Sequence, residues 1–382
     1  MNLNVVYIGP LSFPLGFAST KRRRYMIDYM NSHGISSYVL CTRYKKNEIF
    51  QNPSHGFYKG TEFYDLSDYI NNGKLFRFWE IATKCIREWY NPNKKNVIIF
   101  HTNLLFIEFP IYIKAKQIGY KIIFDQVETS YSALPNRSVK NKIFVYTNEL
   151  VSKYAYKHCD GSFVISKALE DWNHIKYPCM PTALLPNATP ILYKGDKKEN
   201  KILTLLYSGT YAPKDGVTYL IDGVKKAIAK GVNCRLLLLG KGTDRDMECL
   251  KFVKNNSSFE YLGLIDDDRL VELLQNSDVL FMTRTNSTFS NYGFPFKLSE
   301  YLSTGNIVVS TTVSDVTHYL INKKNAILIP PEDSDSIAES IVWISNNREN
   351  AKIIGLAGLE TMKNAFSIET VGNKFQSFLE KI

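Results

Sequence analysis

The chain has few of the patterns that would place it quickly. Its six cysteines (Cys41, Cys85, Cys159, Cys179, Cys234 and Cys249) are scattered, with no CxxC pair and no histidine cluster at ligand spacing, so neither a metal site nor a redox motif is expected. No run approaches the ~18 uncharged apolar residues of a spanning helix. The opening MNLNVVYIGP lacks both a basic leader region and a small-residue cleavage site, so the expected location is the cytosol. Zinc-finger spacing, an RNP-type aromatic motif and a long Arg/Lys tail are missing, which leaves nucleic acid an unexpected partner. Gly9 and Gly16 do not form G-x-G-x-x-G and no acidic residue follows at ribose-binding distance, which argues against a nicotinamide cofactor.

What is present is a globular composition: 45% hydrophobic, 22% charged, with 24 Tyr and 22 Phe. At 382 residues the chain exceeds what one core usually supports, so two domains are expected. The formal net charge of +10 suits polyanionic partners, phosphorylated substrates or an anionic membrane among them.

A strand at Asn4 to Ile8, a helix from Ala18 to His33 and a strand at Ser37 to Cys41 form a β-loop-α-β unit. The alternation continues through a strand at Val97 to Phe100, a helix at Phe106 to Ile118, and strands at Lys121 to Phe124 and Ser162 to Ile165. The runs VIIF and KIIF are continuously apolar, as in a parallel sheet covered on both faces. After Pro186 the pattern lapses into a polar, lysine-rich stretch that reads as a linker. Alternation then restarts at Leu203 to Tyr207 and runs through helices at Val217 to Lys230, Asp268 to Asn276 and Pro295 to Ser303. The expected architecture is α/β, with two doubly wound Rossmann-like domains facing a central cleft. They occupy residues 1–190 and 201–367, a linker spans 191–200, and a C-terminal helix over 368–382 crosses back to the first domain. Chemistry belongs on the loops after the strands.

The segment SNYGFPFKLSEYLSTGNIVVST (290–311) places Gly293, Phe294, Pro295 and Phe296 at a helix start, with Lys297 and Glu300 one turn apart. Amides there can hold a diphosphate and Glu300 a ribose diol; an exposed Lys297–Glu300 pair is an equally good reading. In LYSGTYAPKDG (206–216) a strand, Gly209, Thr210 and a loop bring Lys214 to a helix start, as a phosphate clamp or as an ordinary surface lysine. Asp266, Asp267 and Asp268 read as helix capping rather than as a metal site. His101 lies at a strand end, where a lone histidine is more often structural. Asp125 and Glu128 follow the next strand, at an acceptor cleft or as helix caps. The basic run Lys21 to Arg24 and the amphipathic helix Leu75 to Tyr90 read as packing on the domain's own sheet, with membrane contact as the other reading.

The runs YSGTYAPKDGVTYLIDG, LLLLGKG, FEYLGLIDDDRLVELLQNSDVLF and FPFKLSEYLSTGNIVVST resemble, in order and spacing, the C-terminal half of family 4 retaining glycosyltransferases. FPLGFASTKRRRYMIDYMNSHG, IIFHTN and CDGSFVISKALE followed by LLPNATP resemble the N-terminal half. The resemblance implies a GT-B fold and a hexosyltransferase-like enzyme. It implies a UDP-sugar or GDP-sugar donor, transfer with retention and no obligatory metal or cofactor. The acceptor would be a glycan or lipid-linked, in surface polysaccharide or lipopolysaccharide biosynthesis at the inner face of a membrane. Carried over, Lys214 contacts the diphosphate and the Gly293 to Phe296 backbone faces phosphate and sugar. Glu300 binds ribose, Gly16 lets a loop approach the sugar phosphate, and His101 lies beside the transferred sugar. Gly209, Thr210, Gly240 and Lys297 complete the implied donor site. Tyr292 stands where the family often has a first glutamate, and Thr210 where it often has an arginine. A nucleotide-sugar isomerase or hydrolase and a catalytically silent scaffold are the alternatives.

Overall fold

The computed structural model describes residues 3–42, 50–127, 139–195, 200–244, 246–253 and 256–382. They divide into two compact units, residues 1–188 with 371–382, and residues 189–370.

Unit 1 is built from β1 (Leu3–Gly9), α1 (Ala18–Ser32), β2 (Ser36–Cys41), β3 (His55–Tyr58), β4 (Thr61–Asp65), α2 (Ser67–Asn71), α3 (Leu75–Glu88), β5 (Lys95–His101), α4 (Phe109–Ile118), β6 (Lys121–Gln126), α5 (Val139–Lys157), β7 (Gly161–Val164), α6 (Lys167–Lys176) and β8 (Thr182–Leu184). Its eight strands lie in the order β3-β4-β2-β1-β5-β6-β7-β8, parallel except for the β3–β4 hairpin. Every residue of β1 is buried, because helices cover both faces of a central parallel strand.

Unit 2 follows with β9 (Leu203–Thr210), α7 (Val217–Ala229), β10 (Cys234–Lys241), β11 (Phe259–Gly263), α8 (Asp267–Asn276), β12 (Val279–Met282), α9 (Thr288–Tyr292), α10 (Phe296–Leu302), β13 (Ile307–Thr311), α11 (Val316–Tyr319), β14 (Ile327–Ile329), α12 (Ser334–Asn346) and α13 (Arg348–Phe366). Its sheet runs β11-β10-β9-β12-β13-β14. The last helix, α14 (Ile368–Lys381), has its residues from Val371 onward in unit 1. There Phe375 stacks on Phe163, and the Tyr29 hydroxyl bonds Asn373 and Gln376.

Element ends differ from the sequence reading in physically simple ways. The residues before α4 form a separate 3-10 turn, Phe106–Glu108, because Pro110 fits only the first turn of an α-helix. Asp266 caps α8, its carboxylate accepting the Arg269 amide at 2.8 Å.

The KRRR run packs inward, as expected: Lys21, Arg22 and Arg23 are all buried. Arg22 sends its Nε and Nη2 to the two oxygens of Asp125, at 3.2 and 2.9 Å. Its remaining N–H groups reach the carbonyls of Pro186 and Leu185, both at 2.9 Å, and Asn187 Oδ1 at 3.2 Å. One guanidinium thus ties α1, β6 and the segment 185–187 together. Burial alone would raise the Asp125 carboxyl, but the charge and hydrogen bonds of Arg22, with the charge of Arg23, hold it at about 2.

Arg22→Ala should therefore cost roughly 3–5 kcal/mol in denaturant unfolding, since Asp125 would be left as a buried, half-compensated charge. The depressed carboxyl also sets a direction in acid. Its stabilisation is complete above the unfolded value of about 3.9 and declines as pH falls toward 2, so Asp125→Asn should flatten the acid limb of the stability curve.

Candidate functional site

In unit 2 the ends of β9 and β10 pair with Gly209 opposite Gly240. A Cβ on Gly240, whose φ is +112°, would stand 1.8 Å from the Gly209 carbonyl oxygen; one on Gly209 would stand 2.5 Å from Lys297 Nζ and 3.0 Å from the Tyr207 hydroxyl. Gly209 clears the space in which the Lys297 ammonium rests, and Gly240 lets the two strand ends approach.

Lys297 reaches that space from the first turn of α10. Its Nζ donates to the Tyr207 hydroxyl at 3.0 Å and faces Asp215 Oδ1 at 3.4 Å. The helix is fixed one turn further on. There the Tyr301 hydroxyl accepts the Ser208 amide at 2.9 Å and donates to the Ser208 carbonyl at 3.1 Å. Asp215 is buried in a 3-10 turn over Pro213–Asp215 and accepts a hydrogen bond from the Thr210 hydroxyl. Arg284, just past β12, donates from Nη1 to the carbonyls of Ser290 at 3.4 Å and Gly293 at 3.3 Å, while its buried Nε has no hydrogen-bond partner among the described residues.

Burial pushes the Lys297 ammonium below the usual lysine range; Asp215 opposes this, and the charges of Arg284 and Lys214 add to it. Burial likewise lowers Arg284, against the pull of Asp215. A single buried carboxylate therefore faces two largely buried cations, with Lys214 nearby as a third. Desolvated cations in excess of their counter-charge favour an incoming anion. At the end of β10 opens a cavity of roughly 440 Å³ whose lining includes Lys241, Asp244, Met247, Lys251, Tyr261 and Leu264, where the Tyr261 hydroxyl donates to the Gly240 carbonyl at 2.8 Å.

The structure thus gathers Gly209, Thr210, Gly240 and Lys297 at one place. Lys214 sits on the turn between them, its carbonyl accepting the Thr285 amide. The exposed Lys297–Glu300 pair is corrected, because the Lys297 ammonium turns inward to Tyr207 and Asp215. Glu300 lies one turn along α10. Phe294 packs its ring on Tyr319 and Phe366, a core side chain, so only its backbone is open to a ligand role. Pro295 caps α10 and has no N–H, so Gly293, Phe294 and Phe296 remain as the donors of that stretch.

Sequence reasoning missed Arg284 and Asp215. The local signals were slight: Arg284 lies two residues past a buried strand, and Asp215 lies beside Lys214 in the turn before a helix.

In unit 1, β5 and β6 pair so that His101 lies opposite Asp125, and a Cβ on Gly9 would come within 2.7 Å of the His101 Cβ. His101 Nδ1 has no hydrogen-bond partner among the described residues and is 4.0 Å from Asp125 Oδ2. Burial and then the Arg23 charge force its pKa well below the usual histidine value, so the ring is neutral. Asp125 neither caps a helix nor is exposed for an acceptor; it is the partner of Arg22. A side chain on Gly16 would meet Thr20 Oγ1 at 2.1 Å, so the loop's packing on α1 accounts for that glycine. Glu128 lies outside the described residues.

With this geometry in hand, comparison with known proteins is informative. Residues 203–347 match the family described as glycosyl transferases group 1. Over 89% of this chain and 88% of the relative, the sequence is 21% identical to an uncharacterized glycosyltransferase of Methanocaldococcus jannaschii. The capsular polysaccharide biosynthesis glycosyltransferase CapM of Staphylococcus aureus is 23% identical over 48% of each chain. The crystal structure of Anabaena HepE in complex with UDP-glucose matches with a TM-score of 0.68 at 14% identity, covering 99% of this chain and 100% of HepE. The chain therefore has the GT-B fold, and its residues 203–347 form a domain of the glycosyl transferases group 1 type.

Proposed function

We propose that this chain is a family 4 retaining glycosyltransferase. It moves a sugar from a UDP- or GDP-linked donor to a glycan or lipid-linked acceptor at a membrane face, in surface polysaccharide or lipopolysaccharide assembly. The observation that carries the reading is the Lys297 ammonium, sunk beside Gly209 with Arg284 near it and one carboxylate between them. A nucleoside diphosphate supplies the counter-charge this pocket lacks. UDP-glucose in HepE supports the donor class, and the role of CapM supports the pathway.

In this reading Lys297 and Arg284 receive the diphosphate, Lys214 joins from the turn, and Glu300 takes the ribose hydroxyls. The cavity at Lys241, Tyr261 and Leu264 takes the base. As the glycosidic bond breaks, negative charge gathers on the leaving diphosphate, so fixed cations stabilise the transition state more than the ground state. Neutral His101 is suited to hydrogen-bond a sugar hydroxyl rather than to supply a charge. No step calls for a metal ion.

Thermal shift against UDP, GDP, ADP and their sugar conjugates tests the donor, since a ligand at about 100 times its Kd adds about 2.7 kcal/mol of stability. A base-selective shift is expected; none with any nucleotide would remove the proposal. Lys297→Ala should weaken nucleotide binding by roughly tenfold to a hundredfold, the range for a charged hydrogen bond. Lys214→Ala and Glu300→Ala should weaken it less, and unchanged affinity in all three would overturn the assignment.

Gly209→Ala probes the same contact. At φ +157° its methyl would stand 2.5 Å from Lys297 Nζ and 3.0 Å from the Tyr207 hydroxyl, so nucleotide affinity and melting temperature should both drop. The lowered Lys297 pKa makes binding pH-dependent. A diphosphate favours the protonated form, so affinity should fall as pH rises through the depressed value, with proton uptake in calorimetry across that window.

A further inference from the structure

α5 carries a row of apolar side chains on its outer face. Ile143, Tyr146, Leu150 and Tyr154 follow one another at three- and four-residue steps, so they share one side of the helix. Their exposures are 60, 62, 50 and 48%. Phe106, also exposed, is joined to the same helix by its amide, which donates to Asn148 Oδ1 at 2.6 Å. Tyr154 packs edge-on against Phe109. The helix turns its other side to the core, with Asn148, Ser152, Ala155 and Tyr156 buried. α5 is therefore fully supported from beneath, and its outward stripe is not needed to hold the fold.

The charge beside this stripe decides what it fits. α5 contains four lysines and one glutamate. Lys157 falls three residues after Tyr154 and seven after Leu150, in line with the stripe, and Lys142 and Lys153 lie along its flank; all three are exposed. A second copy of the chain would bring the same positive charge against it. An anionic lipid surface complements both parts, taking the apolar side chains at the headgroup boundary while lysine stems extend to the phosphates.

We propose that the outer face of α5, with Phe106, docks the protein on an anionic membrane, a contact that does not depend on the sugar-transfer reading. The lysines supply attraction that salt weakens, and Leu150 with Tyr146 supplies the apolar insertion.

Flotation of the full chain with vesicles of phosphatidylcholine alone, and of phosphatidylcholine mixed with phosphatidylglycerol, tests it. Binding is expected only with the anionic lipid and should fall as salt rises. Lys153→Gln with Lys157→Gln should lower it by about fivefold per lysine. Leu150→Ser with Tyr146→Ser should lower it by about tenfold or more, from the lost apolar burial. Both pairs alter exposed side chains, so circular dichroism and the thermal response to UDP should stay as in the parent protein. Equal binding to both vesicle types would overturn the proposal. So would binding indifferent to both variant pairs, or a dimer in solution that the Leu150 and Tyr146 changes dissolve.

Discussion

A carboxylate removed from water can neutralise one cation, and each unit of this protein sets one buried carboxylate against two. In unit 1, Asp125 faces Arg22 at 2.9 Å and Arg23 at 3.5 Å. In unit 2, Asp215 lies 3.4 Å from Lys297 and close enough to Arg284 to raise its pKa against burial. Removing such charges from water carries a desolvation cost that pairing only partly offsets. The surplus cation must be held by the surrounding fold or wait for an anion from outside. Much of the placement of loops at the strand ends follows from how each unit answers that constraint.

The two answers differ in how fully the cation is served. Arg22 uses every N–H it has, on Asp125 and on the segment 185–187, so its charge is absorbed into architecture. Lys297 has a neutral hydroxyl and one carboxylate at the long end of the ion-pair range. The Tyr207 hydroxyl that meets it gives its own proton to the Thr210 carbonyl at 2.5 Å, so it can accept from Lys297 without ionising. Burial and then the Asp215 charge keep that phenol protonated by raising its pKa further. A fixed phenol and a carboxylate at 3.4 Å leave the ammonium aligned but loosely paired. Such a preorganised donor loses little on meeting a phosphate.

The alternation of strands and helices was legible because parallel strands buried on both faces must be apolar throughout, as VIIF and KIIF are. β3 and β4 were not read. HGFY and TEFYD mix polar and aromatic residues, and β3 sits at the edge of its sheet, where one side of each residue meets water. α5 escaped because apolar residues occupy both its faces, one packed and one exposed, which blurs the 3.6-residue period. In the donor region the residue types were legible and their partners were not. Gly209, Gly240 and Lys297 stand out as glycine and lysine beside strand and helix ends. Nothing local says that Lys297 meets Asp215 across 82 positions, or that Arg22 meets Asp125 across 103. The basic run reads as packing on its own sheet, but the acid that meets it is supplied only by the tertiary fold.

The net charge of +10 then takes on a different meaning from the one composition suggests. Arg22 and Arg23 are buried beside a carboxylate, and at such sites a charge acts over a few ångströms on one fixed partner. Arg284 and Lys297 are nearly so, close to Asp215. These four contribute little to the field that a distant partner feels. The exposed lysines are the reverse. Each has only a screened influence at short range, but together they act out to about a Debye length, roughly 8 Å at physiological salt. A polyanion in solution and an anionic surface therefore address different sets of cations on this molecule. The small, deep set can select by geometry, whereas the large, exposed set can only attract. Of the two, the deep set includes an ammonium seated in the side-chain space of Gly209, and chemistry that must tell one anion from another belongs there.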